Sequence, residues 1–205
     1  MKLILDPDEF FRREAETLSS LEPIFVVVFA AISTALIPML ILYYLTSSLP
    51  DQVTSYMAIF GSLSVVGGML AIFGMWIVSS ILLHFVAFFI GGEGSLRETI
   101  FLAGWGFMPM VFANVVNSVF VFNILTEALA AIGSESVTPQ YLSAVLANHP
   151  LMTLTRIIST IGLVWMAFIW TFAVKNAHEL SFRKSTLAAT IPTLAIFVYW
   201  VFRGF

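Results

Sequence analysis

The sequence predicts an all-α polytopic membrane protein, a bundle of five transmembrane helices, and three observations carry that reading. Apolar residues make up 60% of the 205-residue chain and charged residues only 10%, whereas soluble domains are about 45–50% apolar and about 25% charged. Five apolar runs, residues 23–45, 56–90, 99–125, 153–174 and 185–202, reach the length of roughly 17–20 residues that a helix needs to cross hydrocarbon about 30 Å thick. None of the runs holds an Asp, Glu or Lys, and Arg156 near the start of the fourth is their only Arg. A charge at the bilayer centre costs at least about 2.5–3.5 kcal/mol. Because lipid offers the backbone no hydrogen-bond partner, each run is expected to be helical. The period-2 alternation of a membrane barrel is absent.

Residues 1–22 precede the first run and read as a cytoplasmic amphipathic segment, with 23–205 as a single transmembrane domain. Acidic residues follow Lys2 closely and no small-residue cleavage site ends the first run, so a signal peptide is not expected. Asp6 is placed to cap a helix, Pro7 falls at its first position, and Glu9 has capping-box spacing. Phe11, Ala15 and Leu18 share one face. Such a helix either dips its phenylalanines into the interface or packs on the cytoplasmic ends of the spans.

The second run is 35 residues long, about 52 Å as a helix. It is one tilted or kinked helix, or two short ones folded at Gly67-Gly68. Five spans put Lys2, Arg12, Arg13, Arg97, Lys175, Arg183 and Lys184 on one side, against Arg156 and Arg203 on the other. A hairpin would destroy that asymmetry, so the positive-inside rule prefers five spans, with the N-terminus cytoplasmic and the C-terminus outside. On the outer side, Thr138-Pro139 signals a helix start, and Tyr141, Leu142, Val145 and Leu146 give it an apolar face that would lid the bundle.

Few residues could carry chemistry. The net charge of −3, with no basic block, excludes a nucleic-acid binder. The absence of cysteine removes disulfides and thiolate chemistry, and no cofactor or metal site is expected. His84 lies in the second run, about six residues from its cytoplasmic end; a structural hydrogen bond is its leading reading, a proton relay or ligand contact the sharper one. His149 and His178 fall in loops on opposite sides, so the three histidines are not expected to share a metal site. Asn114 and Asn117 share a helix face and read as interhelical glue, or as the lining of a polar cavity. Ser64, Gly67, Gly68, Ala71 and Gly74 form a small-residue stripe suited to close packing within the monomer, with a dimer interface as the alternative. Pro38, Pro109 and Pro192 interrupt three spans; Pro109 would disturb the bond to the Trp105 carbonyl. On the cytoplasmic side, Gly91, Gly92 and Gly94 suit a tight turn before Ser95. Lys175, Arg183 and Lys184 would meet anionic headgroups. No nucleophile–base pair or carboxylate pair lies within a span, so an enzyme is not expected.

The 91–95 turn, followed by Gly104-Trp105 and Pro109, resembles the central pattern of the Yip family of Ypt/Rab-interacting membrane proteins. The stretch from Trp165 to Trp170, then Ala177-His178-Glu179-Leu180-Ser181 and Lys184, is similar to that family's fourth-to-fifth connection. Pro7-Asp8-Glu9-Phe10-Phe11 resembles prokaryotic members. The resemblance implies a five-span bundle with a cytoplasmic N-terminus. It implies non-enzymatic work through lateral protein and lipid contacts, in membrane organisation or trafficking-like processes, with a membrane-protein partner or a homo-oligomer. Gly91, Gly92, Gly94, Gly104, Trp105, Pro109, His178 and Lys184 are the family-motif positions. The chain lacks the long N-terminal region and the Asp-Leu-Tyr-Gly-Pro element of eukaryotic members, so a Rab-type GTPase partner is not implied. The rival reading is a small transporter or channel using the proline kinks, with His84 or the Asn114/Asn117 face lining the path.

Overall fold

The computed structural model describes residues 2–17, 21–46, 51–132 and 138–203, and these are helical with short turns between. In order they form α1 (Lys2–Leu5), α2 (Pro7–Thr17), α3 (Glu22–Thr46), α4 (Asp51–Phe89), α5 (Leu96–Ala103), a 3-10 turn (Gly104–Phe107), α6 (Met108–Ile132), α7 (Pro139–Asn148), α8 (Pro150–Ala177) and α9 (Phe182–Arg203). By length and composition four stretches among the described residues are fit to cross a membrane: Glu22–Thr46, Thr54–Phe89, Leu96–Ala131 and Pro150–Ala177. The apolar run 185–202 also folds, as the larger part of α9, a helix of 22 residues. Arg183 and Lys184 occupy its first turn, ahead of that run.

Helices α3, α4, α6, α8 and α9 close a ring, since α4 packs on α3, α3 on α6, α6 on α8, α8 on α9, and α9 back on α4. The inside is filled by apolar side chains from every member, among them Ala30 of α3, Leu83 of α4, Met110 of α6, Trp170 of α8 and Ala188 of α9. Packing of this kind, with small residues such as Ala31 and Ala35 buried at the α3 contacts, holds helices together where lipid supplies no hydrophobic drive.

The second run is one continuous helix, with no reversal at Gly67-Gly68. The small-residue stripe, however, is not where α4 meets a neighbour in the chain. A methyl built on Gly67, Gly68 or Gly74 meets nothing within 4 Å, whereas one on Gly61 would strike the Leu42 side chain at 2.3 Å. The close approach of α3 and α4 therefore lies nearer the start of α4, and the stripe faces outward. This corrects the expectation of close packing within the monomer.

The end of the ring that carries α2, the 91–95 turn and the α8–α9 connection is called here the proximal face, and the end beneath α7 the distal face. Pro7 opens α2 as expected and the Asp6 carboxylate accepts the Glu9 N–H at 3.2 Å. The Glu9 side chain turns instead to Arg12 and Arg13. Phe11 is wholly buried against Leu102, Trp105 and Ile169, so α2 packs on the helix ends with that ring inside the protein. Leu18 lies outside the described residues. On the distal face Thr138 caps α7. Leu142 is buried beside Leu45, Val121 and Leu125, and the Tyr141 hydroxyl donates to the Ala128 carbonyl.

Candidate functional site

The family-motif glycines and the α8–α9 connection, far apart in sequence, build one junction on the proximal face. Helix α4 ends where the Gly92 N–H reaches the Ala87 carbonyl at 2.9 Å and Gly91 adopts φ +90°, a left-handed conformation that costs glycine little. Helix α8 ends in the same manner, with the Leu180 N–H on the Lys175 carbonyl, but here Glu179 takes the left-handed position at φ 53°. The two ends dock: the Glu93 N–H donates to the His178 carbonyl at 3.3 Å. A methyl on Gly94 would sit 1.8 Å from the Ala177 carbonyl oxygen, and one on Gly92 would sit 2.8 Å from the His178 Cβ. Gly94 is therefore required by the approach of the α8 backbone, and Gly92 by the His178 side chain and the Ala87 carbonyl.

Ser95 then starts α5 with a reciprocal capping box, its hydroxyl accepting the Glu98 N–H and the Glu98 carboxylate accepting the Ser95 N–H. That cap fixes Thr99 one turn on, where its hydroxyl meets the Ser95 carbonyl at 2.9 Å, the His178 Nε2 at 2.8 Å and the His84 Nδ1 at 3.4 Å. The two imidazole rings lie 5.1 Å apart. With the Thr99 proton on the Ser95 carbonyl, the His178 Nε2–H donates to Thr99. The His178 Nδ1 is buried with no hydrogen-bond partner among the described residues. Burial and the neighbouring His84 push the His178 pKa down to about 4, against a smaller upward pull from Glu98. The ring is thus neutral at ordinary pH and acts as a hydrogen-bonded wedge among α4, α5 and α8.

His178 lies in the turn after α8: the helix continues to Ala177, past the apolar run, and His178 is its cap residue, 1% exposed beneath the 91–95 turn. His84 and His178 come together at Thr99. His149 stays apart on the distal face, where it caps the start of α8 and lies 3.3 Å from Glu127. Among the described residues no group of three or more His, Asp or Glu could hold a metal.

The remaining predicted residues divide between this junction and the ring. Lys184 donates to the Ile90 carbonyl at 2.8 Å, closing the corner between α4 and α9. Gly104 lets the 3-10 turn pass Pro23, whose Cβ and carbonyl oxygen would lie 3.0 Å from an added methyl. The carbonyl of Trp105, which Pro109 leaves without its usual helical donor, accepts the Met108 N–H. The Trp105 ring meets Phe10 edge-on at 5.0 Å. Its N–H has no hydrogen-bond partner among the described residues; burial raises the pKa of the nearby Glu14 carboxyl, and the approach of the Trp105 N–H offsets only part of that rise. Asn114 bonds Ser33 and Thr34 on α3 at 3.1 and 2.9 Å, and Asn117 bonds Ser159 on α8 at 2.9 Å. Though on one helix face, the two amides tie α6 to different neighbours and do not meet the histidine pair.

Sequence reasoning missed Thr99 and Gly106, and gave Glu98, Asp8 and Trp170 no contact of their own. The Ser95-x-x-Glu98 spacing was a legible capping signal. Asp8 grips Lys175 at 2.5–2.6 Å and Asn176 at 3.2 Å, which lowers the Asp8 pKa chiefly through the Lys175 bond. Gly106 gives way to Trp170, whose indole Nε1 would stand 2.1 Å from a methyl there and donates to the Ala103 carbonyl at 2.9 Å; no local pattern announces that pair. Beside the junction opens a cleft of about 680 Å³, lined by Arg12, Glu16, Glu93, Glu98, Lys175 and Glu179 among others. A smaller cleft of about 340 Å³ surrounds the Asp8–Lys175 pair.

Comparison with known proteins gives one family and one relative. The model of the Yip1 domain matches residues 1–203. An uncharacterized protein of Methanocaldococcus jannaschii is 28% identical over 116 residues, 54% of this chain and 79% of that protein. No solved structure matches.

Proposed function

The chain belongs to the Yip1 domain family, and from that premise we propose a non-enzymatic, five-span membrane protein that works through lateral protein and lipid contacts. Its task on this reading is membrane organisation or a trafficking-like process, with a membrane-protein partner or a second copy as the contact. The proximal face is cytoplasmic and α9 is the fifth span, which sets the C-terminus outside.

The observation that carries the reading is the closed ring with an apolar interior, fed by α3, α4, α6, α8 and α9 alike. A ring filled with Leu, Met, Ala and Trp leaves a solute no wet path along its axis. The outward side chains are apolar too, including Phe60, Leu70, Val164 and Leu194, as lateral contact requires. The 91–95 turn, Gly104, Pro109 and the residues from His178 to Lys184 set the shape of the cytoplasmic face. His84, Asn114 and Asn117 hold helices together.

The chain has no cysteine, which makes topology directly measurable. Glu93→Cys should react with an impermeant maleimide only from the cytoplasmic side, and Thr138→Cys only from outside. Reporters on the two termini should fall in different compartments; both in one compartment would remove the five-span reading. Solute flux in liposomes that disappears in His84→Ala would instead favour transport.

A further inference from the structure

The outer surfaces of α4 and α9 end together on the proximal face, and each ends at a cation. On α4, Val78, Leu82, Phe85 and Phe89 follow one another at helical spacing and are all exposed, Phe89 to 81%. On α9, Leu187, Ile191, Leu194 and Val198 do the same. Arg183 lies one turn before Leu187 on that same stripe, exposed, and has no hydrogen-bond or ion-pair partner among the described residues. Lys184, beside it, reaches across to the Ile90 carbonyl, which places its ammonium at the end of the α4 stripe. One of its three N–H groups is thereby used and two are left.

The carboxylates Glu16, Glu93, Glu98 and Glu179 line the large cleft next to α2, where Arg12 and Lys175 stand among them, and neither Arg183 nor Lys184 lines it. Two adjoining apolar stripes that terminate in a pair of uncompensated cations match a phospholipid in both its parts. Acyl chains lie along the stripes, and a headgroup phosphate sits at the cations.

We propose that the corner between the end of α4 and the start of α9 is a headgroup site for an anionic phospholipid, with Arg183 and Lys184 as its phosphate-binding residues. The inference rests on the membrane topology proposed above and names the lipid partner of that face. A zwitterionic lipid presents the same phosphate next to its own cation, so discrimination between lipids comes from net charge.

The test uses the full chain reconstituted in phosphatidylcholine vesicles, with spin-labelled phosphatidylglycerol and spin-labelled phosphatidylcholine as probes of the lipid held at the protein surface. The wild type should prefer phosphatidylglycerol, with each basic residue contributing about fivefold. Arg183→Gln, which breaks no contact, should lose about fivefold, and Arg183→Gln with Lys184→Gln should bring the ratio near one. Lys184→Arg should retain the preference. Arg12→Gln, on the same face but already engaged by Glu9, should retain it as well. Equal association of both lipids with wild type, a preference that survives the double substitution, or an equal loss in Arg12→Gln would each overturn the site. Displacement of the preference by inorganic phosphate at matched ionic strength would also overturn it, by assigning the corner to the free ion. Equal association of both lipids with the wild type, with the two-sided maleimide pattern intact, removes only this inference; a failed maleimide pattern removes the topology beneath it.

Discussion

His178 and its glycines show what single atoms decide here. The ring is buried neutral, with its pKa near 4, whereas an unfolded histidine titrates near 6.5. Between those values the unfolded chain binds a proton that the folded one refuses, so stability rises with pH across this window. Stability should be full above about pH 6.5 and fall by about 3 kcal/mol as pH drops toward 4, levelling out below. Thermal unfolding of detergent-solubilised protein across that range reads the slope. His178→Asn lowers stability at every pH by losing contacts, but it should flatten the slope, and that second result separates titration from packing. Glycines offer a matched contrast. Gly94→Ala forces a methyl into the Ala177 carbonyl and should destabilise by about 1–3 kcal/mol through overpacking. Gly67→Ala, with open space around it, should be neutral or stabilising by up to about 1 kcal/mol, since alanine suits a helix interior better. Midpoints from the same melts compare the two.

At the scale of elements, two attachments turn separate helices into one proximal face. Helix α2 is held by the buried Phe11 and by the Asp8–Lys175 pair, whose carboxylate side chain is 48% exposed. The apolar anchor should dominate. Phe11→Ala should cost about 3–5 kcal/mol, and Asp8→Asn no more than about 1 kcal/mol, as expected of a pair open to solvent. Ala15→Cys, half-buried on α2, should gain maleimide reactivity in the Phe11→Ala background and change little with Asp8→Asn. The other attachment is the 3-10 turn between α5 and α6. It lets Gly106 receive Trp170, and the Trp170→Phe variant should lose about 1 kcal/mol for the Ala103 bond. Because the site is apolar otherwise, that loss should be close to independent of pH, unlike the loss at His178.

Across the whole molecule, the ring explains why the polar residues inside the apolar runs are quiet. Asn114, Asn117 and His84 each bond a neighbouring helix, although the Asn117 carbonyl oxygen is buried without a partner among the described residues. A fluorescent-dye or ion flux assay on reconstituted protein should give a rate equal to that of empty vesicles, and His84→Ala should leave it unchanged. Among the described residues length and hydropathy single out four stretches, while the α4–α9 and α8–α9 contacts give the shorter α9 a place in the ring. The junction was only half legible. Gly91, Gly92, Gly94 and Lys184 stood out in the sequence because turns and basic ends leave local marks. Thr99 did not, because its partners come from 15 and 79 positions away.

What the sequence alone determined is the solvent and the helices. Apolar run length, Asp6-Pro7 and Thr138-Pro139 are local signals, and a helix satisfies its own backbone within a few residues. Tertiary structure alone decided which faces meet. It turned the α4 small-residue stripe outward, seated Phe11 inside the protein, and set His178 against His84 and Thr99. The physical reason is that contact between helices depends on rotation and on depth along the axis, and a chain apolar on nearly every side of its helices leaves both unmarked.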